Sequence, residues 1–80
     1  MDTYFCTKSR LSELLEERRL SIHALAIKSG VAPSTIKNIL YGKSKNPGIV
    51  TIKLLCDGLG ISIFDFFNTD QFCSDEPEDI

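Results

Sequence analysis

From Leu11 the apolar residues fall at 11, 14 and 15, and Arg10, Ser12, Glu13, Glu16, Glu17, Arg18 and Arg19 fill the positions around them. That 3.6-residue spacing predicts an amphipathic helix closing near Arg19. Thr3, Thr7 and Ser9 each offer a cap for its start, and Tyr4 and Phe5 either form a leading turn or pack across the helix end. Ser21 then supplies a capping oxygen to a short second helix, whose inner face carries Leu25 and Ala26 and which Gly30 stops in the left-handed conformation. Pro33, with its fixed φ and no N–H to leave unsatisfied, suits the first turn of a third helix. Ile36, Ile39 and Leu40 give that helix a buried stripe, and Gly42 ends it. Lys43 to Gly48 reads as an exposed loop in which Pro47 holds Asn46 extended. Apolar positions 49, 52, 55, 56 and 59 resume the helical spacing and predict a fourth helix over Ile49–Leu59, closed by Gly60. Ser62 caps a last short helix bearing Ile63, Phe64, Phe66 and Phe67. No alternating run of strand length occurs, so the predicted fold is all-α, a compact bundle of five helices around one core.

Eighty residues fit one small domain with no room for a large pocket beside its core, and 42% hydrophobic with 25% charged residues is the composition of a globule. The formal net charge of −2, taken as a single number, argues against a nucleic-acid partner. Divided along the chain it changes meaning. Residues 1–69 hold nine basic and six acidic side chains, or +3, and form the expected domain. Residues 70–80 hold five acidic side chains and no basic one, or −5, and form an expected disordered acidic tail. Cys6, Cys56 and Cys73 make an odd count without a CxxC pair, which fits a reducing cytoplasm. No signal peptide or run of 18 apolar residues is present, so no membrane partner is expected. The sequence lacks GxGxxG, P-loop and GxSxG motifs, and His23 has no partner at ligand spacing. Catalysis, a metal and a cofactor are therefore not expected. Cys56 suits the core face of the fourth helix, whereas Cys6 and Cys73, near the ends, are open to oxidation.

Two short helices flank Ala26-Ile27-Lys28-Ser29-Gly30-Val31, with glycine at the turn and apolar anchors on both sides, which is a helix-turn-helix layout. In Leu25-Ala26, Gly30-Val31, Thr35-Ile36, Ile39, Gly42-Lys43, Pro47, Leu59-Gly60-Ile61-Ser62 and Phe66-Phe67 the sequence resembles the lambdoid phage Cro and repressor proteins of the XRE family. The resemblance runs from about Leu11 to Phe67. It implies a five-helix, lambda-repressor-like domain that binds double-stranded operator DNA, usually as a homodimer, and regulates transcription, most often as a repressor.

With Ile36, Ile39 and Leu40 turned inward, the opposite face of the third helix presents Ser34, Lys37, Asn38 and Tyr41. Asparagine can pair bidentately with adenine and lysine can donate to guanine, so Asn38 and Lys37 are the leading base readers. The resemblance adds Ser34 and Pro33 to that set, Pro33 being limited to apolar contact with a thymine methyl. Lys43 and Lys45 in the following loop, with Tyr41 and Ser21, are candidate phosphate contacts; Lys28, Lys53 and Arg10 fit either that role or an ordinary solvated face. The resemblance also marks two departures, Ala32 as a poor cap and Ile22 at a position often polar in relatives. Phe64 stands where the family pattern is usually polar. Either it forms a dimer contact together with Ile63, or Tyr4 or Phe5 covers it. The alternative function is a protein-interaction module, such as an antitoxin or adaptor, that uses the same fold.

Overall fold

The computed structural model describes residues 3–72, and among them the only regular elements are five helices: α1 (Thr3–Glu17), α2 (Ile22–Ser29), α3 (Pro33–Leu40), α4 (Ile49–Leu59) and α5 (Ile63–Phe67). Helix α1 begins two turns before the apolar stripe that predicted it. Cys6 and Thr7 are both buried and carry the stripe back from Leu11, but neither reads as strongly apolar. The Thr7 hydroxyl donates to the Thr3 carbonyl at 2.8 Å, and Tyr4 and Phe5 form part of the leading turn rather than packing across the helix end from outside it. At its other end α1 stops without a glycine. Arg19 takes φ 53°, and the Leu20 N–H donates to the Leu15 carbonyl at 2.9 Å.

The capping signals of the later helices act as their chemistry dictates. The Ser21 and Ser62 hydroxyls accept from the Ala24 and Asp65 N–H groups, each at 3.0 Å, and Gly30 and Gly60 close α2 and α4 at φ 74° and 75°. Tyr41 caps α3, so the helix ends one residue before Gly42, whose φ of 89° turns the chain. Two apolar positions depart from the expected core. Leu40 is half-buried, and Ile49 is 64% exposed because it lines an open groove with Tyr4 and Phe5 rather than packing into the core; the buried stripe of α4 is Ile52, Leu55, Cys56 and Leu59.

The core gathers Leu11, Leu14, Leu25, Ile36, Leu55 and Phe66 from all five helices. Helices α2 and α4 pack most closely. A Cβ on Gly58 would lie 2.8 Å from the Ser29 Cβ and 3.0 Å from its Cα and N, so only glycine allows this approach. Two arginines tie helix ends together. Arg10, with only 13% of its side chain exposed, donates to the Phe66 and Asp65 carbonyls at 3.0 and 2.9 Å and pairs with Glu13. Arg18 donates to the Leu59 carbonyl at the end of α4 at 2.9 Å.

The packed body runs past residue 69. The Gln71 carbonyl accepts from the Cys6 thiol at 3.5 Å, and the Phe72 ring meets Phe67 edge-on at 4.9 Å between centroids. A polar surrounding sequence hid this aromatic anchor. The remainder of the expected acidic tail, residues 73–80, and with it Cys73, lies outside the described residues.

Candidate nucleic-acid interface

Ile36 and Ile39 are fully buried, and helical geometry then turns the opposite face of α3 outward. Ser34, Lys37, Asn38 and Tyr41 are all exposed at i, i+3, i+4 and i+7, Tyr41 by 69%, and Pro33 is exposed at the first helical position. Ala32 supplies no side-chain cap; its carbonyl accepts from the Thr35 and Ile36 N–H groups at 3.0 and 3.3 Å.

The end of α3 fixes the loop that follows. The Asn38 carbonyl accepts from both the Lys43 and Ser44 N–H groups at 2.9 Å, a closure that requires the left-handed φ of Gly42. This sets Lys43 against the last turn of α3. The neighbouring Ile39 carbonyl accepts from the Tyr4 hydroxyl at 3.3 Å, so the first turn of α1 braces the same helix end. The sequence left Tyr4 open to a leading turn, to packing across the helix end or to covering Phe64, and of these the leading turn is what forms. A tyrosine one turn ahead of buried Cys6 and Thr7 was a weak signal, because nothing local names its partner 35 residues away. Lys45 stands exposed further along the loop. Ser21 opens α2, and since its oxygen already caps the helix, its hydroxyl proton remains for an outside acceptor.

The electrostatics of this region differ from those of the whole chain. Between Arg18 and Cys56 there is no aspartate or glutamate, and that stretch holds Arg18, Arg19, Lys28, Lys37, Lys43, Lys45 and Lys53. Not all of these cations face outward freely. Arg18 is spent on the Leu59 carbonyl, as Arg10 outside this stretch is on α5 carbonyls, and Lys53 pairs with Asp57 on α4. Lys28 is exposed near the far end of α2 from Ser21. Ile22 is half-buried against the core, which explains an apolar residue at that position.

Other candidate chemistry finds no support in its surroundings. Cys56 is fully buried, and burial followed by the neighbouring Asp57 charge pushes its thiol pKa up, away from a reactive thiolate. Cys6 is 2% exposed, so its nearness to the chain start does not make it a surface thiol. His23 is exposed, and no group of three or more His, Cys, Asp or Glu among the described residues could hold a metal. No helix among them is long and apolar enough to cross a membrane.

The model of the Cro/C1-type HTH DNA-binding domain matches residues 10–71. The chain belongs to this family. In a solved structure the Cro/C1-type domain has a close counterpart, the crystal structure of the prophage Lp1 protein 11, which is 33% identical and aligns over 91% of this chain and 96% of that one with a TM-score of 0.78. No curated protein matches. The matched segment includes α2 and α3, joined by the Gly30–Ala32 turn. Residues 3–9, which supply Tyr4, Cys6 and Thr7, precede the matched segment and extend α1 ahead of it.

Proposed function

We propose that this Cro/C1-type domain is a sequence-specific transcriptional regulator that lays α3 in the major groove of operator DNA. The observation that carries this reading is the continuous exposed face of Ser34, Lys37, Asn38 and Tyr41 within a stretch that holds seven cations and no carboxylate. Asn38 reads adenine, Lys37 reads guanine, and Ser34 and Pro33 approach bases at the start of the helix. Lys43, Lys45, Tyr41 and Ser21 hold phosphates on either side, which sets register without reading sequence. Repression is the favoured outcome, in keeping with the similarity to a prophage protein, since a repressor that acts by occupying its operator needs no surface beyond the DNA contacts. Two copies bind half-sites about 34 Å apart, joined through Phe64 with Ile63 beside it. Phe64 is 70% exposed, so neither Tyr4 nor Phe5 covers it, and an exposed aromatic of this kind supports the dimer contact.

Selection of genomic fragments on the purified protein, followed by sequencing, tests the reading. A recurrent motif retained above random DNA is expected; uniform retention of all fragments, or none at low salt, overturns it. The second result favours the interaction-module reading, for which the exposed Ile49, Val50 and Leu54 on α4 provide an apolar face.

A further inference from the structure

The first turn of α1 and the loop after α3 enclose an open groove of about 900 Å³, walled by Tyr4, Phe5, Pro47, Ile52 and Phe67, with Lys45 on its rim. Among the described residues, no carboxylate lines it. We propose that the acidic segment 73–80 docks in this groove and pairs its carboxylates with Lys45, so that it competes with DNA phosphate for that cation. The consequence for DNA rests on the operator-binding reading above; the docking itself does not.

Three observations point to this occupant. The first is where the described chain stops. Phe72 packs edge-on against Phe67, itself a wall of the groove, and the Gln71 carbonyl is held by Cys6 on α1. The described chain therefore ends at a ring that touches a wall of the groove. The second is length. Eight residues reach up to about 26–29 Å, more than twice the ~10–12 Å diameter of a helix, so they can cross from the Phe67 wall to the loop. The third is charge. Asp75, Glu76, Glu78 and Asp79 carry four negative charges within five residues, with no cation among residues 73–80. Opposite them stands Lys45, in a stretch without any acidic side chain of its own. An acidic segment tethered this close holds a high effective concentration at the lysine, whereas a free partner does not. The pairing is solvent-exposed, so salt should dissolve it.

The test compares the full chain with a chain ending at Phe72 and with a full-length variant carrying Asp75→Asn, Glu76→Gln, Glu78→Gln and Asp79→Asn. Without DNA, the backbone amide resonances of Lys45, Asn46, Gly48, Ile49 and Phe67 should differ between the full chain and both variants. About 0.5 M salt, where screening is nearly complete, should erase the difference. With random DNA, both variants should bind about three- to tenfold tighter near 50 mM salt and show a salt slope steeper by about 1, as expected for one phosphate contact regained. In a Lys45→Gln background the same deletion should change affinity little. Identical amide spectra at low salt overturn the proposal, as does a gain in DNA affinity that persists undiminished with Lys45→Gln. Amide differences that salt erases, in a protein that binds no DNA, sustain the docking and overturn the operator-binding reading instead.

Discussion

Arg19 ends α1 at φ 53°, a conformation that a Cβ makes unfavourable by about 1–2 kcal/mol and that glycine adopts freely. Arg19→Gly should therefore stabilise the domain by about 0.5–1 kcal/mol after the entropy that glycine adds to the unfolded chain, raising Tm by several degrees in a thermal scan. An unchanged or lower Tm would show that the Arg19 side chain stabilises the fold in a way that offsets the strain. If α3 and the loop after it bind DNA as proposed, the two kinds of contact separate by experiment. Asn38→Ala should cost about 1–3 kcal/mol on the selected operator and little on random DNA, because a base contact is lost. Lys45→Ala should weaken both DNAs alike and lower the salt slope by about 1. Equal losses on both DNAs for both variants would remove Asn38 from base recognition.

At the scale of elements, the placement of α3 depends on contacts outside it. Helix α2 sits against α4 because residue 58 is glycine, and a methyl group there would collide with the Ser29 backbone as well as its side chain. Gly58→Ala should destabilise by about 1–3 kcal/mol, more than the ~1 kcal/mol that alanine contributes as a helix former. Denaturant unfolding measures this directly, and a stabilised variant would mean that the two helices separate without cost. The sequence pattern ran the fourth helix through Gly58 without assigning it a role, because its partner Ser29 lies on another helix. The Tyr4 contact was not visible. Helix periodicity reports which face of an element is buried, yet it is silent about which distant carbonyl a side-chain hydroxyl will reach. The same limit applies to Arg10, whose sequence position fitted a solvated face until the α5 carbonyls took up its guanidinium.

For the whole molecule, assembly is the property with most at stake. If Phe64 joins two copies, Phe64→Asp should convert the protein to a monomer in sedimentation analysis and weaken operator binding, while circular dichroism stays unchanged because that ring is already outside the core. Dissociation by Val50→Asp with Phe64→Asp without effect would move the interface to the exposed turn of α4. Charge also acts at this scale. A net −2 conceals a basic body joined to an acidic segment, and screening makes the local cations more important to a phosphate than the total.

The sequence by itself determined that there are five helices, the serine caps of α2 and α5 and the glycine stops of α2 and α4, because these follow from local hydrogen bonding, backbone freedom and a 3.6-residue period. It also determined the outward set on α3, since Ile36 and Ile39 leave Ser34, Lys37 and Asn38 no other face. Tertiary structure decided what depended on distant partners. It turned Arg10 inward and Ile49 outward, and it brought Tyr4 to Ile39, Ser29 to Gly58 and Phe72 to Phe67. The burial and pairing of these residues are set by elements far along the chain, and no local pattern encodes them.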